Sequence, residues 1–360
     1  MLNSNSEIVT KLLETGVQPE PPVLCITPTD LSVLYKIAND YPEGVTVFFA
    51  PGEYLISQTI LLPSNTSMIG AGRARTKLIL ARASHCHLFT NADHVRGNRS
   101  ILLRGFSVDG NGDTQERQPH HKALTFCCAI YIKNAHDVMV EEANFIDIRQ
   151  TAVHFNGSDR ITVRDCNMHK LGWSGVSTSN ASNMYIDIIV SDAGRDKMHS
   201  AVHLDGGIGV RCRAHVKDTT GNGIMLDSAY GALRNVVVEG SAKNCKRGVS
   251  LSGSAEKALE FVLISGKFSE NNETGVMISN ASNVILTNCE ITNNAQYGVL
   301  FQGRAGGRNC IVHMSTISDN GEDIKELHAS HGNWVFTNDA SLDREISANE
   351  RALQSHGVKR

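Results

Sequence analysis

Aromatic residues are scarce in this chain, at 6%, and no apolar run approaches the roughly 18 residues that a membrane-spanning helix needs. The second absence removes a helical membrane protein from consideration. An excess of either charge is also missing. The 34 Lys and Arg against 37 Asp and Glu give a formal charge of −3, without the basic footprint of a nucleic-acid binder. The first residues, Met1-Leu2-Asn3-Ser4-Asn5-Ser6-Glu7, lack the basic-then-apolar succession of a secretory signal. The expectation is a cytoplasmic protein or one exported by a non-classical route. Metal-ligand spacing is absent too. Nine cysteines run from Cys25 to Cys310, Cys127-Cys128 is a vicinal pair, and His85-Cys86-His87 has no zinc-site spacing. No cofactor or metal site is expected, although the sequence does not decide calcium dependence. Reduced, packed cysteines are expected, with Cys166 and Cys289 at apolar positions.

What the chain does have is a repeat. A length of 360 residues exceeds the roughly 250–300 at which one ordinary core stops growing, but a repetitive domain in which each repeat touches only its neighbours escapes that limit. The segments Ala129-Ile130-Tyr131-Ile132, Ala152-Val153-His154-Phe155, Gly175-Val176-Ser177-Thr178 and Ala201-Val202-His203-Leu204 share one pattern. It continues in Gly223-Ile224-Met225-Leu226, Gly248-Val249-Ser250-Leu251, Gly275-Val276-Met277-Ile278 and Gly298-Val299-Leu300-Phe301. The starts are 23, 23, 26, 22, 25, 27 and 23 residues apart. A second strand follows in each copy, as in the runs from Arg160 to Met168 and from Asn283 to Ile291. Both alternate with period two and then slip by one residue, which reads as a corner. Asn-rich turns (Asn271-Asn272, Asn293-Asn294, Asp319-Asn320) follow, suited to left-handed backbone and to stacking from coil to coil.

The period is too short for a propeller blade, and the leucine and asparagine framework of leucine-rich repeats is missing. The expected fold is therefore all-β: a single-domain right-handed parallel β-helix with coils of about 24 residues. Residues 1–44 are expected to form an N-terminal cap that includes a helix from Asp30 to Asp40. Residues 45–320 are expected to form the coils. Residues 321–360, with Leu342, Ile346 and Leu353 in a sparse helical stripe, are expected to form a C-terminal cap or tail, or a homo-oligomer contact, rather than another coil.

The chain from Val45 to Tyr54 contains Pro51-Gly52-Glu53-Tyr54, and a second strand then leads to Gly70-Ala71-Gly72. A helix, a strand, Pro-Gly-x-Tyr, a second strand and Gly-x-Gly in this order resemble the opening of pectate-lyase-like β-helix proteins. The resemblance spans roughly residues 27–320. That superfamily holds polysaccharide lyases, alginate epimerases, glycoside hydrolases, fructan-acting transferases and phage tailspikes, so the resemblance implies a poly- or oligosaccharide partner.

In each Gly-Val-x-Leu frame the valine and leucine point inward, so x and the residue after leucine face out. The first outward column is Tyr131, His154, Ser177, His203, Met225, Ser250, Met277, Leu300. The second is Lys133, Asn156, Ser179, Asp205, Asp227, Ser252, Ser279, Gln302. Ionisable groups crowd the coils from 129 to 227 and then stop, which a merely solvated face would not predict. Arg149, Trp173, His199, Asn222, Lys246 and Arg247 occupy the adjoining corners. Such a mixture suits a saccharide groove, in which rings stack on sugar faces and polar groups fix hydroxyls or carboxylates. The loop between Asp109 and Cys128 could overhang that groove with His120, His121 or Lys122, or be a plain surface excursion.

Two chemistries fit. In the first, His154 and His203, two coils or about 9.6 Å apart at strand spacing, act as base and acid on a uronate, with Tyr131 as a proton donor. Lys133, Arg149 and Arg247 then neutralise the substrate carboxylate, giving a lyase or an epimerase. In the second, Asp205 and Asp227 form a carboxylate pair for glycosidic cleavage or transfer, and His203 binds substrate. The Asp-Pro-His signature of alginate epimerases is absent, as are the Asp-Asp and Gly-His-Gly signatures of polygalacturonases, so both chemistries stay open. The first is the leaning, because histidines and cations outnumber carboxylates in the columns. A third reading is a non-catalytic saccharide-binding or structural β-helix.

Overall fold

The computed structural model describes residues 21–116, 128–196, 199–327, 332–336 and 344–346. The chain divides into two compact units, residues 1–172 and 173–360. Each is built from short strands that pair in parallel with the strand one coil earlier or later.

In the first unit, Val23–Ile26 pairs with Thr46–Phe49, which pairs with Thr66–Gly70. Gly52–Ile56 pairs with Thr76–Leu80, and Ile130–Lys133 pairs with Val153–Asn156. In the second unit, Val176–Ser179, Val202–Asp205, Ile224–Asp227 and Arg247–Ser252 stack in unbroken parallel register. This is the repeat read from the sequence, and its frame forms the core. Val153, Phe155, Val202, Leu204, Ile224, Leu226, Val249 and Leu251 are all fully buried. Burying each contributes about 1.5–3 kcal/mol, so substitutions within the frame act on stability before anything else.

The corners come from single left-handed residues. Asp165 and Asn288, at the one-residue slips seen in the sequence, have φ near 52°, a region that Asn and Asp tolerate better than other side chains. Where the corner tightens further, glycine is obligatory. Gly266 has φ 133°, and an added Cβ would lie 2.0 Å from the Gly240 carbonyl oxygen. After the second strand of three successive coils, Asn271, Asn294 and Asn320 stack as an amide ladder. The side chain of Asn271 donates to Asn294 at 2.9 Å, and that of Asn294 donates to Asn320 at 2.8 Å. Cys166 and Cys289 are buried in the core, and none of the described cysteines is disulfide-bonded.

At the ends the structure departs from the expected boundaries. The helix expected from Asp30 to Asp40 is two short turns, Leu31–Leu34 and Ile37–Asp40, that bury Leu34 and Ile37. Strand pairing begins before it, at Val23. Parallel pairing also runs past residue 320, through Glu322–Glu326 and Asn333–Phe336, and Arg344–Ile346 then adds an antiparallel strand. These strands lack the Gly-Val-x-Leu frame, so apolar periodicity alone did not reveal them. The loop residues His120, His121 and Lys122 lie outside the described residues, as do Leu342 and Leu353.

Candidate functional site

The second unit brings three sequence-predicted residues together. Asp205 and Asp227 are register partners on adjacent strands, and both point to the same side as His203, because residues two apart on a strand share a face. One ligating atom from each of the three lies within 4.8 Å of the others. His203 Nε2 is 3.8 Å from Asp227 Oδ2. That nitrogen is shielded from solvent and makes no hydrogen bond.

The two carboxyl groups stand in different surroundings. Asp205 is 2% exposed, whereas the Asp227 side chain is 20% exposed. Burial, opposed by a backbone N–H from Tyr230 and reinforced by the charge of Asp227, raises the Asp205 carboxyl above the usual carboxylate range. A buried carboxyl beside a second, wetter one is the arrangement that separates an acid from a base. A short loop serves both groups: Tyr230 N donates to Asp205 Oδ1 at 2.9 Å, and Ala229 N donates to Asp227 Oδ1 at 3.1 Å. Lys257, from the next coil, holds that loop by donating to the Ala229 carbonyl. The same His-Asp-Asp set has the donor types of a zinc-like transition-metal site, although a cation requires the ligating carboxyls to be ionised.

The corners differ from the expectation. Lys246 and Arg247 are engaged with Glu273, at 3.6 and 2.7 Å. Trp173 is 5% exposed, its ring stacked 4.4 Å from that of His199, so it does not offer the open face a sugar would stack on. Asn222 donates to Ser200 at 3.3 Å. Further along the first column, Ser250, Met277 and Leu300 are buried instead of facing out. Ser250 lies in register between Met225 and Met277, whose long side chains flank it.

In the first unit, Tyr131 is also buried, at 1% exposure, rather than outward-facing. Its ring is stacked between His87 and His154, with centroids 5.1 and 5.4 Å away, and His94 meets its edge at 5.5 Å. Burial pushes the Tyr131 hydroxyl up to about 12, which makes it a poor proton donor at neutral pH. His94 is lowered, first by burial and then by Lys133, and its Nε2 meets the Thr90 hydroxyl at 2.8 Å. His154, Lys133 and Arg149 are half-buried. The two histidines proposed as base and acid thus belong to different units, and His203 has the carboxyls of Asp205 and Asp227 beside it.

Sequence reasoning missed Lys257, Tyr230 and Glu273. One signal for Lys257 was available: among the intervals between successive Gly-Val-x-Leu frames, the one beginning at Gly248 is the longest, at 27 residues, and its extra residues form the corner that carries this lysine.

Residues 200–344 match the family described as right handed beta helix region, and residues 32–102 match rhamnogalacturonase A/epimerase, pectate lyase-like. The chain has the pectate-lyase-like right-handed parallel β-helix fold. Among solved structures, this β-helix is similar to the mannuronan C-5 epimerase AlgE4 A-module of Azotobacter vinelandii, with TM-score 0.67 and 14% identity over 89% of this chain and 96% of that one. The bacteriophage phi29 gene product 12 N-terminal fragment gives 0.62 and 14% over 96% and 76%. The catalytic domain of a GH87 alpha-1,3-glucanase gives 0.59 and 16% over 88% and 70%. In sequence, the β-helix is 30% identical over 158 residues to the putative phage-related protein YobO of Bacillus subtilis, covering 39% of this chain and 20% of that protein. It is 26% identical over 170 residues to the pre-neck appendage protein of Bacillus phage phi29, covering 41% and 19%. The chain therefore spans about a fifth of the length of these curated relatives.

Proposed function

We propose that this β-helix is a carbohydrate-active enzyme that cleaves a poly- or oligosaccharide at a site formed by Asp205, Asp227 and His203. The observation that carries the reading is the pairing of a buried carboxyl, Asp205, with a more exposed one, Asp227, inside 4.8 Å of a histidine. Protonated Asp205 gives its proton to the glycosidic oxygen as the bond to the anomeric carbon breaks. Asp227, as the carboxylate, attacks that carbon to form a glycosyl-enzyme, and water then displaces Asp227, giving its proton to the now ionised Asp205. His203 lies against Asp227 and is read as a substrate contact. In the first unit, His154, Lys133 and Arg149 are read as saccharide contacts.

Uronate proton abstraction, the sequence-based leaning, is the weaker reading. Of the three cations expected to neutralise the substrate carboxylate, Arg247 is engaged with Glu273, and the two histidines expected as base and acid belong to different units. The similarity to phage appendage proteins favours a second reading, in which the β-helix binds a surface polysaccharide without cleaving it. One panel of acidic and neutral polysaccharides, followed for new reducing ends and for unsaturated-uronate absorbance, separates the three. Reducing ends without absorbance support the proposal. Absorbance supports elimination, and binding without either product supports the appendage reading.

A further inference from the structure

The long coil that begins at Gly248 contributes more than a clasp for the carboxylate loop. Its extra corner and the coils after it border an open pocket of about 690 Å³, a size that accommodates a short saccharide. Leu259 and Ala281, both buried, are among its lining residues. Around it stand Lys257, Arg308, Asn280 and Ser282, and the lining's carboxylate is Glu256.

Charge pairing leaves this rim positive. Glu260, Ser282 and Arg308 follow one another in register on successive coils. Glu260 is already bonded to Arg234 at 2.7 Å. Arg308 is exposed and has no carboxylate within ion-pair distance among the described residues. A guanidinium presents a planar fork that matches a carboxylate or a phosphate. Serine and asparagine beside it can meet hydroxyl groups.

We propose that this pocket binds an anionic sugar residue, one bearing a carboxylate or a phosphate, at a place distinct from the His203–Asp205–Asp227 cluster. The inference rests on the saccharide reading above but not on its catalytic part. The pocket is one side chain away from the cluster: Lys257 lines it and donates to Ala229, whose amide serves Asp227. A chain anchored here is held next to the loop that positions both carboxyls.

The test is calorimetric titration of the Asp205→Asn protein, which separates binding from turnover, with trigalacturonate, glucose 6-phosphate and maltotriose. The expected result is that at least one anionic probe binds about tenfold or more tightly than maltotriose, as a charge-assisted contact predicts. Which anion binds identifies the group. Arg308→Ala then weakens that probe about tenfold, and Ser282→Trp, which fills the pocket, removes binding while the melting temperature stays unchanged. Equal binding of maltotriose overturns the proposal. So does an unchanged Kd in Arg308→Ala, or the failure of both anions to bind.

Discussion

His203 and Asp227 face each other with Nε2 and Oδ2 3.8 Å apart, on strands that are direct neighbours in register. Asp205, the register partner of Asp227, completes the cluster from a position that water scarcely reaches. The β-helix makes this arrangement cheaply, because each coil offers the same outward positions about 4.8 Å above the last. Two acidic residues at matching positions of successive coils must therefore meet. What differs between them is burial, and in the proposed mechanism burial distinguishes the acid from the nucleophile.

The pH dependence follows from Asp205. Its carboxyl is raised in the folded chain, chiefly by burial. The folded state therefore binds its proton more tightly than the unfolded state does. Stability from this group is present below the ordinary carboxylate pKa and is lost as pH rises through the raised value. Asp205→Asn, which keeps an acceptor for the Tyr230 amide, is expected to melt higher than the parent at neutral pH. The gap is expected to close below the ordinary carboxylate range. Thermal melts of both proteins at the two pH values check this.

Dialysis against EDTA is expected to leave saccharide cleavage unchanged. Metal binding requires ionised carboxylates, and the setting of Asp205 favours the protonated form. Turnover lost on chelation and restored by zinc would reassign the same three residues to a cation.

Cysteine reactivity reports the core. Burial pushes the thiols of Cys166, Cys212, Cys245 and Cys310 to about 12 and that of Cys289 to about 11, while Cys25 is exposed. Reagents attack the thiolate. Alkylation of the native protein, mapped by peptide mass, is therefore expected to label Cys25 first. These five thiols are expected to label only after denaturant is added.

The asparagine ladder is expected to carry stability. Asn294 accepts from both the backbone and the side chain of Asn271, and donates to Phe268 and Asn320. Asn294→Ala leaves buried partners unsatisfied, at about 1–3 kcal/mol each. A loss on the order of 3 kcal/mol in urea unfolding is expected, with the secondary structure of the folded state unchanged by circular dichroism.

Much of the fold was legible because it is written in a local pattern. The Val249 and Leu251 frame lies in the core, and the slips at Asp165 and Asn288 are the corners. The meeting of Asp205 with Asp227 was legible for the same reason, since it depends only on register. The burial of Tyr131 was not, because it depends on His87 and His154, rings brought against it from other coils. Nor was the loss of Lys246 and Arg247 to Glu273, an ion pair set by side-chain reach. Periodicity says which way a residue points, whereas exposure depends on what its neighbours on the adjoining coils cover.

The most direct test of the account is steady-state kinetics of the parent, Asp205→Asn and Asp227→Asn on whichever polysaccharide in the panel yields reducing ends. The account predicts that each substitution lowers kcat by about 10²–10⁴-fold, the usual contribution of a positioned acid or base, with neither protein melting lower than the parent. A folded Asp205→Asn or Asp227→Asn protein that cleaves at the parental rate would contradict it.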